Sequence, residues 1–257
     1  MPTRGEEMQR SDTGGRGAGD IPVALLTPPL TAGADTSQPG RRLRFLGTLA
    51  GIIGPVLLAA YFTMPSLIHL PAVSASPSTL TAFANAHRLL FYVGGWLQVT
   101  GALLSILFFL LLLQLSGARR TLAGSATIVG CAVLVAVVAI EAVLLEEVPL
   151  AAANGDHATV ATAFALSTGG VFARIFPLAA APLVFGGIGF ALSGTRVLPR
   201  FFARSAVVIA GLFLVAGFAA MFGSAGLTFA IVMSIAEAVW ILAAAIAFAW
   251  AQGRAQP

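Results

Sequence analysis

The sequence predicts an all-α membrane protein with six transmembrane helices. Of its 257 residues, 58% are hydrophobic and only 9% are charged, whereas a soluble domain carries about 25% charged residues. After residue 40 the chain consists mainly of apolar runs, and a helix needs about 20 apolar residues to cross a bilayer. Nine of the eleven arginines after residue 40 fall on one side of a six-span arrangement, and all five acidic residues fall in the other half.

Apolar length, and the charges that interrupt it, define the individual spans. The predicted spans are residues 43–64, 87–116, 121–145, 174–192, 206–221 and 227–251. The apolar run before Leu192 is longer than one span. Counting back about nineteen residues at 1.5 Å per residue places the outer boundary of this span near Arg174. The preceding stretch, 158–173, is predicted as a surface-lying helix or as an extension above the bilayer.

The positions of the arginines predict the orientation of the chain. They precede the first span, separate the second from the third and the fourth from the fifth, and follow the sixth; they are Arg41, Arg42, Arg44, Arg119, Arg120, Arg196, Arg200, Arg204 and Arg254. Short loops rich in arginine stay on the cytoplasmic side of a membrane. Both termini are therefore predicted to be cytoplasmic, in a multi-pass protein of the inner cell membrane.

Residues 1–40 differ from the rest of the chain in composition. They are polar and glycine-rich at first and are then interrupted by prolines. Such a segment buries too little apolar surface to order itself, and it lacks the order of features that defines a signal peptide. It is predicted to be a disordered cytoplasmic tail, with a partner-binding segment as the alternative. Residues 41–257 form the predicted six-span membrane domain.

The excess of basic residues does not indicate nucleic-acid binding. A nucleic-acid-binding protein clusters its basic residues on one folded face, whereas here they are spread over the tail and the short loops. The predicted partner is the lipid bilayer, with a small polar solute or another membrane protein as further candidates. Cys131 is the only cysteine, which excludes an intrachain disulfide and a cysteine metal site.

Ionisable residues at membrane depth are the candidates for a functional site. Such groups are costly in a bilayer, and they usually face the interior of the helix bundle. The candidates fall in the predicted outer half of the membrane. The predicted polar cluster consists of Glu141, Glu237, Arg174, His87 and Arg88, with Glu146 and Glu147 at its rim.

Several interpretations of the two intramembrane glutamates are open. Glu141 forms an ion pair with Arg174 that holds two spans together, or binds a cation, a proton or a polar ligand from outside, or reaches the membrane surface as a rim residue. Glu237 lies deeper and has no base in its own span. It therefore pairs with Arg174 or His87 on another helix, or carries a proton itself.

No catalytic residue, metal or cofactor is predicted. The chain lacks a pattern of nucleophile and base or of converging metal ligands. Three histidines, His69, His87 and His157, would form a zinc site with Glu141 only if two outer loops folded inward. Of the tryptophans, Trp250 is predicted at a membrane interface, and Trp96 and Trp240 are predicted as packing residues.

Three segments resemble a group of uncharacterised bacterial six-span integral membrane proteins. They are LRFLGTLAGIIGPVLLAAYF in the first span, HRLLFYVGGWLQVTGALLSILFFLLLLQL in the second, and the turn VLPRFFARSA before the fifth. The resemblance covers about residues 41–250 and includes the long first outer loop. It implies a six-span fold. It carries over no site residues, because the activity of that group is not established.

Three classes of function remain after these observations. The first is a small-molecule or ion transporter, or a ligand-binding bundle, with a polar cluster that faces outward. The alternative is a non-catalytic membrane partner or regulatory subunit. An intramembrane enzyme ranks last, because no reactive constellation of residues is present.

Overall fold

The structure of the chain is a computed structural model that describes residues 37–168 and 171–254. Side chains are described over residues 41–64, 69–167, 175–223, 225–226 and 228–251. The predicted tail therefore lies outside the described residues up to residue 36. Residues 37–40, which were assigned to that tail, form the first turn of a helix.

Eight α-helices make up the described part of the chain, and no β-strand occurs in it. The helices are α1 Ser37–Ile68, α2 Pro77–Ala86, α3 Arg88–Leu115, α4 Leu122–Ala153, α5 His157–Thr168, α6 Val171–Leu192, α7 Arg200–Ala219 and α8 Ser224–Arg254. Short 3₁₀ turns at Ala118–Arg120 and Ala220–Phe222 join α3 to α4 and α7 to α8. The described residues from 39 onward, 39–168 and 171–254, belong to one structural unit.

Six of these helices are long and apolar enough to cross a membrane, which confirms the predicted fold class. The spans are Arg41–Met64, Arg88–Leu115, Leu122–Ala153, Ile175–Leu192, Arg200–Phe222 and Thr228–Ala251. They lie in α1, α3, α4, α6, α7 and α8. The shorter α2 and α5 lie between spans and pack against each other and against α4. We call the end of the bundle that carries α2 and α5 the outer end, and the opposite end the inner end.

The predicted end of the third span differs from the structure for a physical reason, and the structure decides between the two alternatives for 158–173. The third span was expected to end at Glu146 and Glu147, but α4 continues through both residues to Ala153. This extension remains helical because α2 and α5 pack against it around Val148 and Phe164, which are fully buried. Of the stretch 158–173, residues 158–168 lie in α5, which contacts α4 and α2, and residues 171–173 begin α6.

The outward surface of the bundle is apolar along the spans. Leu107, Val143 and Phe190 are 53%, 65% and 64% exposed, and water-soluble monomers rarely show large continuous apolar patches. Such a surface suits contact with lipid. Trp96 also lies on it at 58% exposure, so the prediction that Trp96 packs inside is wrong. Trp240 is buried, as predicted.

Aromatic rings fill the centre of the bundle around Trp240. Its indole stacks on Phe109 at 6.3 Å between ring centroids, and it meets Phe185 edge-on at 5.3 Å. The indole Nε1–H donates a hydrogen bond of 2.9 Å to Oγ of Ser205 on α7. A buried indole needs such an acceptor for its N–H. These contacts join α8 to α3, α6 and α7.

Glycines bring two sets of helices into backbone contact. A methyl group added at Gly54 of α1 would lie 2.8 Å from the carbonyl oxygen of Gly101 of α3. In the same way, a methyl group at Gly130 of α4 would lie 2.8 Å from the amide nitrogen of Val184 of α6. Small residues permit this close approach of membrane helices. At these positions α1 packs against α3, and α4 packs against α6, too closely for a residue larger than glycine.

Candidate functional site

Glu141 of α4 is held by hydrogen-bond donors from two other spans. The hydroxyl of Tyr61 on α1 donates to Oε1 of Glu141 over 3.1 Å. The amide Nε2 of Gln98 on α3 donates to Oε2 of the same carboxyl. Gln98 is buried, and Tyr61 and Glu141 are partly buried. We call these three residues the Glu141 site.

The other atom of the Gln98 amide has no partner. Its Oε1 is buried and accepts no hydrogen bond within the described part of the chain. With Glu141 ionised, the amide has this orientation only, because turning it over would place a carbonyl oxygen against a carboxylate oxygen. A buried acceptor without a donor costs about 1–3 kcal/mol. The site therefore contains an unsatisfied oxygen beside a carboxyl group.

Two glycines on α3 line the outer side of this site. A methyl group at Gly94 would lie 3.9 Å from the ring of Tyr61, and one at Gly95 would lie 3.6 Å from Oε1 of Glu146. These are ordinary van der Waals distances, so both glycines lie next to these side chains with room for a methyl group. Glu146, predicted at the rim, thus lies on the outer side of the site, about one and a half helical turns along α4 from Glu141.

Glu147, the other predicted rim residue, belongs to a different feature. It lines a cleft of about 270 Å³ between α4 and α5, together with Thr159, Thr162 and neighbouring apolar side chains. The cleft opens at the outer surface. No contact that the structure describes joins it to the Glu141 site.

Glu237 is buried in α8 and stands apart from the Glu141 site. It is 7% exposed, and it makes no hydrogen bond or ion pair with any described residue. The hydrogen-bond partners described for Glu141 are Tyr61 and Gln98, and Glu237 is not among them. The two glutamates therefore have separate surroundings on α4 and α8.

The predicted basic members of the cluster do not meet either glutamate in the described part of the chain. His87 caps the junction of α2 and α3, and its ring lies 4.4 Å from that of Phe83. Arg88 is exposed and lies over the ring of Tyr92 at 5.9 Å. The side chain of Arg174 lies outside the described residues, and with it the predicted pairs of Arg174 with Glu141 and Glu237.

Tyr61 and Gln98 are the site residues that sequence reasoning missed. A glutamine within the apolar run of the second span is a detectable signal, because polar side chains in membrane helices usually bond across to another helix. Tyr61 gives a weaker signal, since tyrosines near a span end also occur as interface residues. Neither pattern names Glu141 as the partner.

The outer cap formed by α2 and α5 has polar contacts of its own. The hydroxyl of Thr81 lies 2.7 Å from Nδ1 of His157, and it donates to the carbonyl oxygen of Pro77 over 2.8 Å. A hydroxyl has one proton, so Nδ1 of His157 acts as the donor in this arrangement. Across the described residues, no three His, Cys, Asp or Glu side chains converge to hold a metal ion.

The fold and the site define a multi-pass α-helical membrane protein with a polar site inside its helix bundle. No family model, curated protein or solved structure matches this chain.

Proposed function

We propose that this membrane protein binds a small polar solute or ion at the Glu141 site, as a transporter or ligand-binding bundle does. The observation that carries the proposal is a carboxyl group at membrane depth that is held by two neutral donors from two other helices. Ionisable residues within membrane spans commonly mark solute and ion pathways.

The orientation of the site belongs to the same proposal. The eight arginines of the inner end whose side chains are described are all exposed: Arg41, Arg42, Arg44, Arg119, Arg120, Arg196, Arg200 and Arg204. An arginine-rich end faces the cytoplasm. The Glu141 site then opens toward the outer face of an inner cell membrane. Membership in the group of bacterial six-span proteins stays a prediction.

Cysteine accessibility tests this proposal. In a Cys131→Ala background, a cysteine at Gln98 would report whether water reaches the site, which lies about 15 Å along α3 from Arg88. The reagent is a positively charged methanethiosulfonate that does not cross membranes, applied to intact cells. We expect Gln98→Cys to be labelled from outside, at a lower rate than Ser74→Cys in the exposed loop between α1 and α2.

Two matched positions complete this experiment. Ser193→Cys lies in the exposed loop at the inner end, so it should react only after the membrane is permeabilised. Ala180→Cys is fully buried in α6 and sets the rate for a dry position. If Gln98→Cys reacts no faster than Ala180→Cys before and after permeabilisation, the bundle is dry. That result would overturn the binding proposal and favour a membrane partner or regulatory subunit.

A further inference from the structure

We infer that the ligand of the Glu141 site is a monovalent cation. The inference rests on the proposed function and names the chemistry of the ligand. It covers an inorganic ion such as Na⁺ and the ammonium group of an organic solute, because both present a single positive charge to oxygen atoms.

The first argument is the charge of the site. The two hydrogen-bond partners that the structure describes for Glu141, Tyr61 and Gln98, are both neutral. Hydrogen bonds from neutral donors orient a carboxylate but leave its charge in place. Charges inside a membrane protein are normally compensated by an opposite charge. A bound cation supplies that compensation, whereas an anion would be repelled.

The second argument is the unsatisfied oxygen of Gln98. Oε1 is buried and without a donor in the described part of the chain, although Nε2 of the same amide is used. It is fixed within a few ångströms of the Glu141 carboxyl, because both amide atoms belong to one planar group. Carbonyl and carboxylate oxygens are the ligands that hard cations prefer. An ammonium N–H satisfies the same oxygen.

The third argument sets the valence of the cation. Divalent ions such as Ca²⁺ take six to eight oxygen ligands, commonly with several carboxylates among them. The described residues contain no group of three acidic, histidine or cysteine side chains close enough to share an ion. One carboxylate compensates one positive charge. A monovalent cation therefore matches the site.

Thermal unfolding of the purified full chain in detergent tests this inference. The baseline is N-methyl-D-glucamine chloride, a bulky cation, at constant ionic strength. NaCl, KCl or methylammonium chloride then replaces it in steps. We expect at least one of these cations to raise the unfolding midpoint saturably, since a ligand that binds the folded state stabilises it. The cation that does so distinguishes a metal ion from an ammonium group.

Variants assign that response to the site. Glu141→Gln should abolish it, and Gln98→Met, which removes the oxygen at similar volume, should raise the half-maximal cation concentration at least tenfold. Glu237→Gln, which changes a carboxyl outside the site, should respond as the native chain does. An equal response in Glu141→Gln would overturn the inference. The inference would also be overturned if no cation stabilised the native chain, or if a cation response appeared only in the Arg174→Gln variant.

A measurement on the native chain covers the case in which a variant does not fold. Dicyclohexylcarbodiimide modifies intramembrane carboxyl groups, and peptide mass spectrometry gives the rate at Glu141 and at Glu237 separately. The stabilising cation should slow modification of Glu141 at least threefold and leave that of Glu237 unchanged. Equal rates at Glu141 with and without the cation would overturn the inference. If Gln98→Cys is labelled but no cation stabilises the chain, then water reaches the site and the ligand is not a monovalent cation.

Discussion

Tyr61 and Gln98 hold one carboxyl group from two helices, and each uses a different kind of donor. The tyrosine contributes a hydroxyl and the glutamine an amide N–H, so neither donor brings a charge to Glu141. Glu237 shows the contrasting case, because burial isolates its carboxyl from every described donor. At the residue level, therefore, Glu141 of α4 is held by hydrogen bonds, whereas Glu237 of α8 has apolar surroundings.

Removal of the Tyr61 hydroxyl should weaken the fold measurably. We expect Tyr61→Phe to lower the free energy of unfolding by about 1–3 kcal/mol, the cost of leaving a buried hydrogen-bonding group without its partner. The measurement is unfolding in detergent at neutral pH. Tyr92→Phe is the matched control and should change stability by less than about 0.5 kcal/mol, as ordinary surface substitutions do. An equal loss in the two variants would show that the Glu141 contact contributes nothing.

The stability of the outer cap formed by α2 and α5 should depend on pH through the carboxyl group of Asp156. The hydroxyl and the backbone N–H of Thr159 donate to its carboxylate over 2.6 and 3.0 Å, and these bonds hold the pKa of Asp156 below its usual value. A lowered pKa in the folded state means that the stabilisation is present above the unfolded pKa of about 3.9. It is lost as the pH falls through the folded value.

Hydrogen exchange of the α5 amides measures this effect. Protection should stay constant from pH 5 to pH 8, after correction for the intrinsic exchange rate, and should fall below about pH 4. Asp156→Asn should show a flatter profile, because an amide does not titrate in this range. A native profile without any fall at low pH would contradict the role of Asp156 as the cap of α5.

Where two helices are in backbone contact at a glycine, adding a single methyl group should lower the stability of the fold. Gly54→Ala would place its methyl group 2.8 Å from the carbonyl oxygen of Gly101, closer than a carbon atom can approach. We expect a loss of about 1–3 kcal/mol, the cost of overpacking a core. Gly211→Ala in α7 is the matched control, since nothing lies within 4 Å of its position. It should leave stability unchanged or raise it, because alanine favours the helix. Unfolding midpoints in detergent compare the two.

The helices that cross the membrane were predictable from the sequence, because the bilayer determines their apolar length and the charges at their ends. Apolar length and flanking arginines located all six spans, because both reflect the thickness of the membrane and its charged surfaces. The outer part of α4 was not predictable in this way. Its residues beyond Glu147 are helical because α2 and α5 cover them, and such contacts between distant segments leave no periodic pattern in the sequence. The same reason explains why the sequence left two alternatives for the stretch 158–173, a surface-lying helix or an extension above the bilayer.

The candidate site was predictable in part at the level of the whole molecule. Glu141 and Glu237 are detectable because carboxyl groups are rare in apolar runs, and their depths follow from counting residues. Which groups they face depends on the rotation of each helix about its axis. The sequence of one span does not determine that rotation. Tyr61 and Gln98 meet Glu141 only because α1, α3 and α4 pack with particular faces together, so the three-helix arrangement had to come from the structure.

The glycine contacts have a mechanical consequence for the site. Gly54 and Gly101 fasten α1 to α3, and Gly130 fastens α4 to α6. Tyr61 and Gln98 therefore belong to the first pair of helices, whereas Glu141 belongs to the second. The short turn Ala118–Arg120 joins the two pairs at the inner end, and at the outer end Phe91 of α3 packs in one apolar cluster with Leu145 of α4. The two hydrogen bonds to Glu141 therefore cross the joint between the pairs, and they add polar cross-links to an otherwise apolar contact.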